Sequence, residues 1–506
     1  MAVIGETLCV GLIGLQAFLV QIQAFLSPGL PFFSIIGLPD TSLSEARERV
    51  KAACQASGIR WPDTRVTVNM SPASLPKRGS SYDLAIAASI LCASRKIPID
   101  CLANTIVLGE VNLDGTVLPV KGMLPMLMYA KQRGINSIII PDGNIDEAQL
   151  IPDIQVTTVR HVGELIEKMG GNAQYTLGNI LQSQTSTTSV PAITDMSEVV
   201  GQENVKWSLQ VAAAGGHNVL MVGPPGTGKT MLASRMPSIM PPLDSQSQLE
   251  VASIRSLCGT LSMYGITDIP PFEAPHHTAS ITSLVGGGTG IAIPGAITKA
   301  HKGILFLDEA AQYCAKTLQT LREPLESGII SISRAKGTTI YPANFQLIMA
   351  SNPCPCGMAY DTGERCICRE KDRIRYFSKL SGPILDRIDI QIDVPPVQEI
   401  SGNNSSPTLS SSTIRSKVTA AREVAIERFA NFGWTSNSQI SGEWLHKNTA
   451  RHVLAVINKA LHNEMLSLRG ADRALRLAWT LADLRGATSP ETDDILQGIM
   501  MRSRIT

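Results

Sequence analysis

The chain has 506 residues, 44% of them hydrophobic, with 44 Lys and Arg against 43 Asp and Glu and a formal net charge of +1. That length exceeds one core of ordinary size and calls for two or three domains. The apolar share is normal for a soluble globular protein. The balanced charge excludes a global field for nucleic acid, so any DNA contact must rest on local basic residues.

Residues 8–26 are apolar, but Gln16, Gln21 and Gln23 interrupt them and no basic leader precedes them. The alternation from Phe18 to Ala24 predicts a strand rather than a signal or a membrane span. No other segment is long and apolar enough to cross a bilayer. A cytoplasmic protein without membrane contact is expected. Polar tracts over 182–190 and 401–412 read as exposed linkers. They divide the chain into an N-terminal domain (1–175), a linker (176–194), a central nucleotide-binding domain (195–398), a second linker (399–412) and a C-terminal helical region (413–506). Alternating strands and helices in the central domain predict a largely parallel sheet covered by helices. Apolar residues at three- and four-residue spacing predict helices over 414–429, 447–468 and 471–485. Of the ten cysteines, Cys9, Cys54, Cys92, Cys101, Cys258 and Cys314 are scattered in apolar surroundings and read as reduced core residues.

The chemistry concentrates in the central domain. Gly223, Pro224, Pro225, Gly226, Thr227, Gly228, Lys229 and Thr230 follow an apolar run and open a helix-compatible stretch. In such a loop the backbone N–H groups cradle phosphate, Lys229 reaches the β/γ-phosphates and Thr230 holds Mg²⁺. Asp308 ends the next motif strand, where a carboxylate meets Mg²⁺, and Glu309 beside it can orient or deprotonate the attacking water. Asn352 either hydrogen-bonds the γ-phosphate or that water, or is an ordinary turn residue before Pro353. Phosphoryl transfer rests on positioning and charge stabilisation, so an arginine near the γ-phosphate is expected. Arg387 is the first candidate and Arg473 the second, unless Arg387 merely pairs with Asp386 and Asp389.

Three further features stand out. His276 and His277 lack further ligands at metal spacing, so packing or hydrogen bonding is expected of them. Cys354 with Cys356 and Cys366 with Cys368 form two tight pairs, which suit a structural tetrahedral Zn²⁺ better than four free thiols. The run 329–340 alternates about a Lys-Gly tip and predicts a β-hairpin. Its Arg334 and Lys336 either grip DNA phosphates or form a solvated tip.

Longer strings are specific to a family. They include Ala274-Pro-His-His277-Thr, Gly286-Gly-Gly288, Leu321-Arg-Glu-Pro-Leu-Glu326, Asn352-Pro-Cys-Pro-Cys-Gly357 and Leu380-Ser-Gly-Pro383 with Leu385-Asp-Arg387. On these the chain resembles the AAA+ ATPases of the magnesium-chelatase-like group, and within it the ComM/YifB family, over nearly its whole length. The resemblance implies ATP and Mg²⁺ as cofactors and a homo-oligomeric ring, a hexamer, with ATP sites at subunit boundaries. It makes Arg387 an arginine finger acting in trans and Arg473 the arginine of a helical lid. It implies a helicase-like motor on branched, single- and double-stranded DNA, driving branch migration during integration of transforming DNA beside recombination proteins. A protein-remodelling motor, as in the chelatase relatives, is the alternative.

The fold class implied is α/β throughout the first two domains. The order Pro76-Lys-Arg-Gly-Ser-Ser81, Leu108-Gly-Glu110, Leu118-Pro-Val-Lys-Gly122 resembles the S5-type proteolytic domain of Lon. Ser81 falls at the nucleophile's place, but Leu124 stands where the lysine base belongs. A proteolytically inactive scaffold is expected, followed by an AAA+ parallel sheet and the helical lid.

Overall fold

A computed structural model describes residues 4–37, 40–73, 75, 77, 79–176, 194–288, 293–334, 337–360, 365–380, 382–396 and 409–502. Lys336 and the greater part of both expected linkers lie outside the described residues. The chain forms two compact units. One comprises Met1–Val190, Ala252–Ile266 and Gly288–Ile293, the other Pro191–Val251, Thr267–Gly287 and Pro294–Thr506.

The first unit is built on a seven-stranded mixed sheet. Its strands lie in the order Phe32–Ile36, Arg65–Ser71, Gln16–Ser27, Ile4–Ile13, Thr105–Val107, Ser137–Pro141 and Gln155–Val159. The alternating run around Phe18 is the second strand of an antiparallel hairpin closed by Gly14 and Leu15, and it buries Val20, Ile22 and Ala24 on one face. Gly14 has φ +64°, which suits a two-residue connection. The helix Asp83–Ala93 is buried along its whole length, consistent with its run of Ala, Ile and Leu. Ser81 precedes this helix. Leu124, at the place where the resemblance to Lon expects a lysine, is fully buried in the core.

The second unit holds a five-stranded, all-parallel sheet in the order Phe272–Glu273, Ile304–Leu307, Gln346–Ser351, Val219–Val222, Ile390–Asp393. Three of these strands are buried at every residue, as expected of a parallel sheet covered on both faces. The expected hairpin is present as Ile329–Arg334 paired with Gly337–Pro342, in register Arg334↔Gly337.

The C-terminal helices differ from the sequence pattern in two ways. The first runs Ser411–Arg428, close to expectation. The expected helix over 447–468 is two helices, Gly442–Asn448 and Arg451–His462. Thr449 and Ala450 turn extended between them, and the Thr449 hydroxyl accepts a hydrogen bond from Trp479 Nε1 (3.1 Å). The third runs Leu468–Arg485, and an unexpected fourth, Thr492–Met500, starts with a capping box between Glu491 and Asp494.

The reading of six core cysteines holds for Cys9, Cys54 and Cys92 only. Cys101 and Cys258 are half-buried and Cys314 is exposed. Cys314 takes the N-cap position of a short helix whose first two residues, Ala315 and Lys316, are also exposed, while Tyr313 before it is buried. Among the described residues no helix is long and apolar enough to cross a membrane.

Candidate active site

Three neighbouring parallel strands end at one edge of the second unit's sheet, and each delivers a motif there. Val222 leads into Gly223, Leu307 into Asp308, and Ser351 into Asn352. Crevices beyond the carboxyl ends of parallel strands are where such folds bind ligands. Gly226 and Gly228 have φ of +79° and +85°, left-handed values that a side chain would strain. They turn the loop into the helix Lys229–Ile239, whose free N–H groups and dipole favour a phosphate.

The side chains converge. Lys229 is buried, and its Nζ donates to Gly223 O (2.7 Å), Pro224 O (2.8 Å) and Asn352 Oδ1 (3.3 Å). Burial pushes its pKa down, and the nearby Asp308 and Glu309 charges oppose that shift. Thr230 Oγ1 donates to Asp308 Oδ2 at 2.7 Å, so two oxygens of the kind that could hold Mg²⁺ adjoin. Asp308 Oδ1 accepts from the Glu309 backbone N–H (2.9 Å). Glu309 itself has φ +51°, an uncommon conformation for a glutamate that turns its side chain out of the strand direction. The set can bind a triphosphate, coordinate Mg²⁺ and present a carboxylate to water.

His277, of which only packing or a hydrogen bond was expected, completes this edge. Its Nδ1 lies 3.4 Å from Glu309 Oε2. The contact arises because the short strand Phe272–Glu273, which leads to His277, pairs with Ile304–Leu307, which leads to Glu309.

Arg387 and Arg473 are brought together, but at the other edge of the sheet. Asn218, one residue before the strand Val219–Val222, donates to Arg387 O (3.0 Å) and, from its backbone, to Asp389 Oδ2 (3.2 Å). The strand Ile390–Asp393 starts after both, in register Val219↔Ile390. The four-residue strand spans about 10 Å, with the phosphate loop at its far end. Arg473 Nη1 bonds Asp389 Oδ1, and Arg387 Nη2 bonds Glu326. Burial alone would raise the Asp389 carboxyl; His217, 3.4 Å away, and Arg473 overcome it and hold the pKa far below the usual carboxylate range. A cavity of about 850 Å³ opens here, lined by Arg387, Arg422, Arg469, Arg473 and Arg476. Only Arg387 and Arg473 of this cationic wall were expected from the sequence.

The cysteine cluster adjoins the phosphate edge. The Sγ atoms of Cys354, Cys356, Cys366 and Cys368 lie within 4.8 Å of one another. Cys354 is two residues beyond Asn352 and fully buried. Arg334 lies at the end of a hairpin strand, three residues of chain separating the hairpin from the strand that ends at Ser351.

Comparison with known proteins agrees with this geometry. The family models described as "Magnesium chelatase, subunit ChlI", "Subunit ChlI of Mg-chelatase" and "Magnesium chelatase, subunit ChlI C-terminal" match residues 195–401, 22–144 and 408–502. The chain is 38% identical to "Competence protein ComM" of Haemophilus influenzae over 94% of its own length and 92% of that protein's. It is 37% identical to YifB of Escherichia coli K12, covering 93% and 92%, and 42% identical to an uncharacterised Mycobacterium tuberculosis H37Rv protein, covering 99% and 98%. Lon protease 2 of Bacillus subtilis shares 34% identity over 125 residues, 24% of this chain and 22% of that one. With its phosphate loop, Asp308 and Asn352 on adjacent parallel strands and relatives matching it nearly end to end, the chain belongs to the ComM/YifB family of magnesium-chelatase-like AAA+ ATPases, which use ATP and Mg²⁺.

Proposed function

We propose that this ATPase is a ring-forming motor that drives branch migration of DNA recombination intermediates. The observation that carries the reading is the division of the site. Lys229, Thr230, Asp308, Glu309 and Asn352 occupy one edge of the sheet, and Arg387 and Arg473 the other. Arginines placed so far from their own phosphate loop reach a phosphate only on another copy, as in a closed ring of six. In that ring the loop and Lys229 hold the phosphates, and Thr230 and Asp308 hold Mg²⁺. Glu309 activates water, Asn352 contacts the γ-phosphate, and the neighbour's Arg387 and Arg473 neutralise developing charge.

One relative is named as a competence protein, which supports DNA as the substrate. With a net charge of +1, the grip falls to local features, of which the hairpin carrying Arg334 and Lys336 is the best placed. Branched DNA with single- and double-stranded arms, recombination proteins and a cytoplasmic setting go with this reading. The first unit serves as a scaffold without proteolysis, since Leu124 replaces the base. The four clustered cysteines hold a structural Zn²⁺.

The deciding measurement is ATP turnover with and without forked and four-way DNA, together with mass under native conditions. Stimulation by branched DNA and a mass of several chains are expected. Turnover indifferent to DNA, in an assembly of the same size, would favour the protein-remodelling alternative.

A further inference from the structure

The thiolate cluster has a second neighbour besides Asn352. Cys354, Cys356 and Gly357 form a tight turn in which Gly357 N donates to Cys354 O (3.0 Å). Gly357 has φ +80°, and a Cβ built there would stand 2.5 Å from Cδ and 2.7 Å from Cγ of Pro225. The backbone of the cysteine turn is therefore pressed directly onto a residue of the phosphate loop. The carbonyl of the adjoining Pro224 accepts from Lys229 Nζ, and the same Nζ donates to Asn352 Oδ1. Asn352, the cysteine turn, Pro225 and Lys229 thus form a closed circuit of contacts.

The sulfur spacing fits a tetrahedral centre at Cys354, Cys356 and Cys366, with Cys368 Sγ within 4.8 Å of the others. Four sulfurs at bonds of about 2.3 Å from one Zn²⁺ stand about 3.8 Å apart. Here Cys354 and Cys366 are 3.7 Å apart, Cys356 and Cys366 also 3.7 Å, and Cys354 and Cys356 3.3 Å. The Ala359 N–H points at Cys354 Sγ (3.3 Å), the kind of outer contact that orients a thiolate ligand. Two short pairs from separate segments converge on this point: one follows the strand Gln346–Ser351, and the other precedes the helix Glu370–Phe377. Hydrogen bonds among thiols can hold three of these sulfurs together, but a divalent ion engages all four at once.

We infer that the metal centre at Cys354, Cys356, Cys366 and Cys368 is a brace for the phosphate loop, so that ATP binding and turnover depend on metal occupancy. This rests on the zinc reading above and goes further, because it assigns the centre an effect on the catalytic edge rather than on stability alone. With the ion bound, the turn is rigid and holds Pro225 on one side and Asn352 on the other. Without it, the turn relaxes, and both the loop and the Asn352 carboxamide lose their support.

The test uses the full chain in two variants. Wild-type protein should carry about one zinc per chain by elemental mass spectrometry. The double variant Cys366→Ser/Cys368→Ser should lose the metal, weaken binding of a fluorescent ATP analogue by about tenfold or more, and lower kcat by a similar factor. Gly357→Ala keeps all four thiols. It should retain zinc while its new Cβ displaces Pro225, so nucleotide affinity and kcat fall although the metal stays. Removal of zinc from the folded wild-type chain with a chelator under reducing conditions carries the test of metal dependence if the double variant fails to fold: nucleotide affinity should fall as the metal leaves and recover when zinc is restored. Wild-type protein purified without metal under reducing conditions would overturn the zinc reading and the brace together. Zinc-loaded wild type, with nucleotide affinity and turnover unchanged in Gly357→Ala or in a folded double variant, would overturn the brace and leave the zinc.

Discussion

Glu309 and His277 meet across two adjacent strand ends, Oε2 to Nδ1 at 3.4 Å. The carboxylate proposed to act on the attacking water is thus already in contact with a neighbour from outside its own motif. A glutamine at 309 keeps a polar group against His277 and the same shape, so the substitution isolates chemistry from structure.

Glu309→Gln should bind ATP with wild-type affinity, since Lys229, Thr230 and Asp308 are untouched. Its turnover should fall about a hundredfold or more, the range for loss of a general base. Nucleotide titration and a steady-state phosphate-release assay check both halves. Near-normal turnover would remove Glu309 from the reaction.

Arg387→Ala chains should be inactive alone and regain part of the activity when mixed with Glu309→Gln chains, because some boundaries then pair two intact halves. Strict absence of rescue over a range of mixing ratios would argue against action in trans. Arg473→Ala carries a separate signature. Arg473 is paired with Asp389, which is buried, so its loss should cost about 3 kcal/mol of stability by denaturant unfolding as well as activity.

Arg334→Ala with Lys336→Ala should leave DNA-free ATP turnover largely intact, as neither residue belongs to the phosphate edge. DNA-stimulated turnover and branch migration should fall. The slope of log affinity against log salt should flatten by about one unit for each DNA phosphate the hairpin no longer neutralises. Undiminished branch migration would place the grip elsewhere.

Acid should weaken the second unit in two stages. His301 has its pKa lowered from 6.5, chiefly by burial, so below that pH the unfolded chain takes up protons that the folded one resists, and stability falls. Glu250 is pulled from 4.5 to about 2 by the His301 hydrogen bond (3.0 Å) and Lys302, against burial. Its contribution is present above pH 4.5 and is lost as the pH falls towards 2. Urea unfolding across the acid range should show both losses. Glu250→Gln should reduce the lower loss without abolishing it, because the depressed Asp389 carboxyl also contributes there, and an unchanged profile would remove the Glu250–His301 pair from acid sensitivity.

The phosphate loop, Asp308 and Asn352 are legible in the sequence because each is a local pattern, an apolar run followed at once by its polar group. The hairpin is legible for the same reason. The edge on which Arg387 lies also has a local sign, since Arg387 precedes the apolar run from Ile390 rather than following one. The unexpected final helix has a sign too: Pro490 and Glu491 with Asp494 three residues on, and Ile495 and Ile499 four apart on its buried face, a short pattern that the expectation of three helices leaves out. Contacts such as Glu309 with His277 and Gly357 with Pro225 are not legible. They depend on which strands are neighbours, and strand order leaves no mark in the separate segments. The break at Thr449 falls at the very start of the expected helix, in the polar run His446 to Thr449, where apolar spacing gives no boundary; the turn is also bonded by Trp479, distant in sequence.

On the proposed action of Arg387 in trans, a chain that carries its phosphate-binding edge and its arginines at opposite ends of one sheet cannot complete its own site. A lone subunit would hold its fuel without burning it. Specific activity should therefore fall steeply on dilution, and ATP would be spared wherever too few copies have gathered to encircle anything.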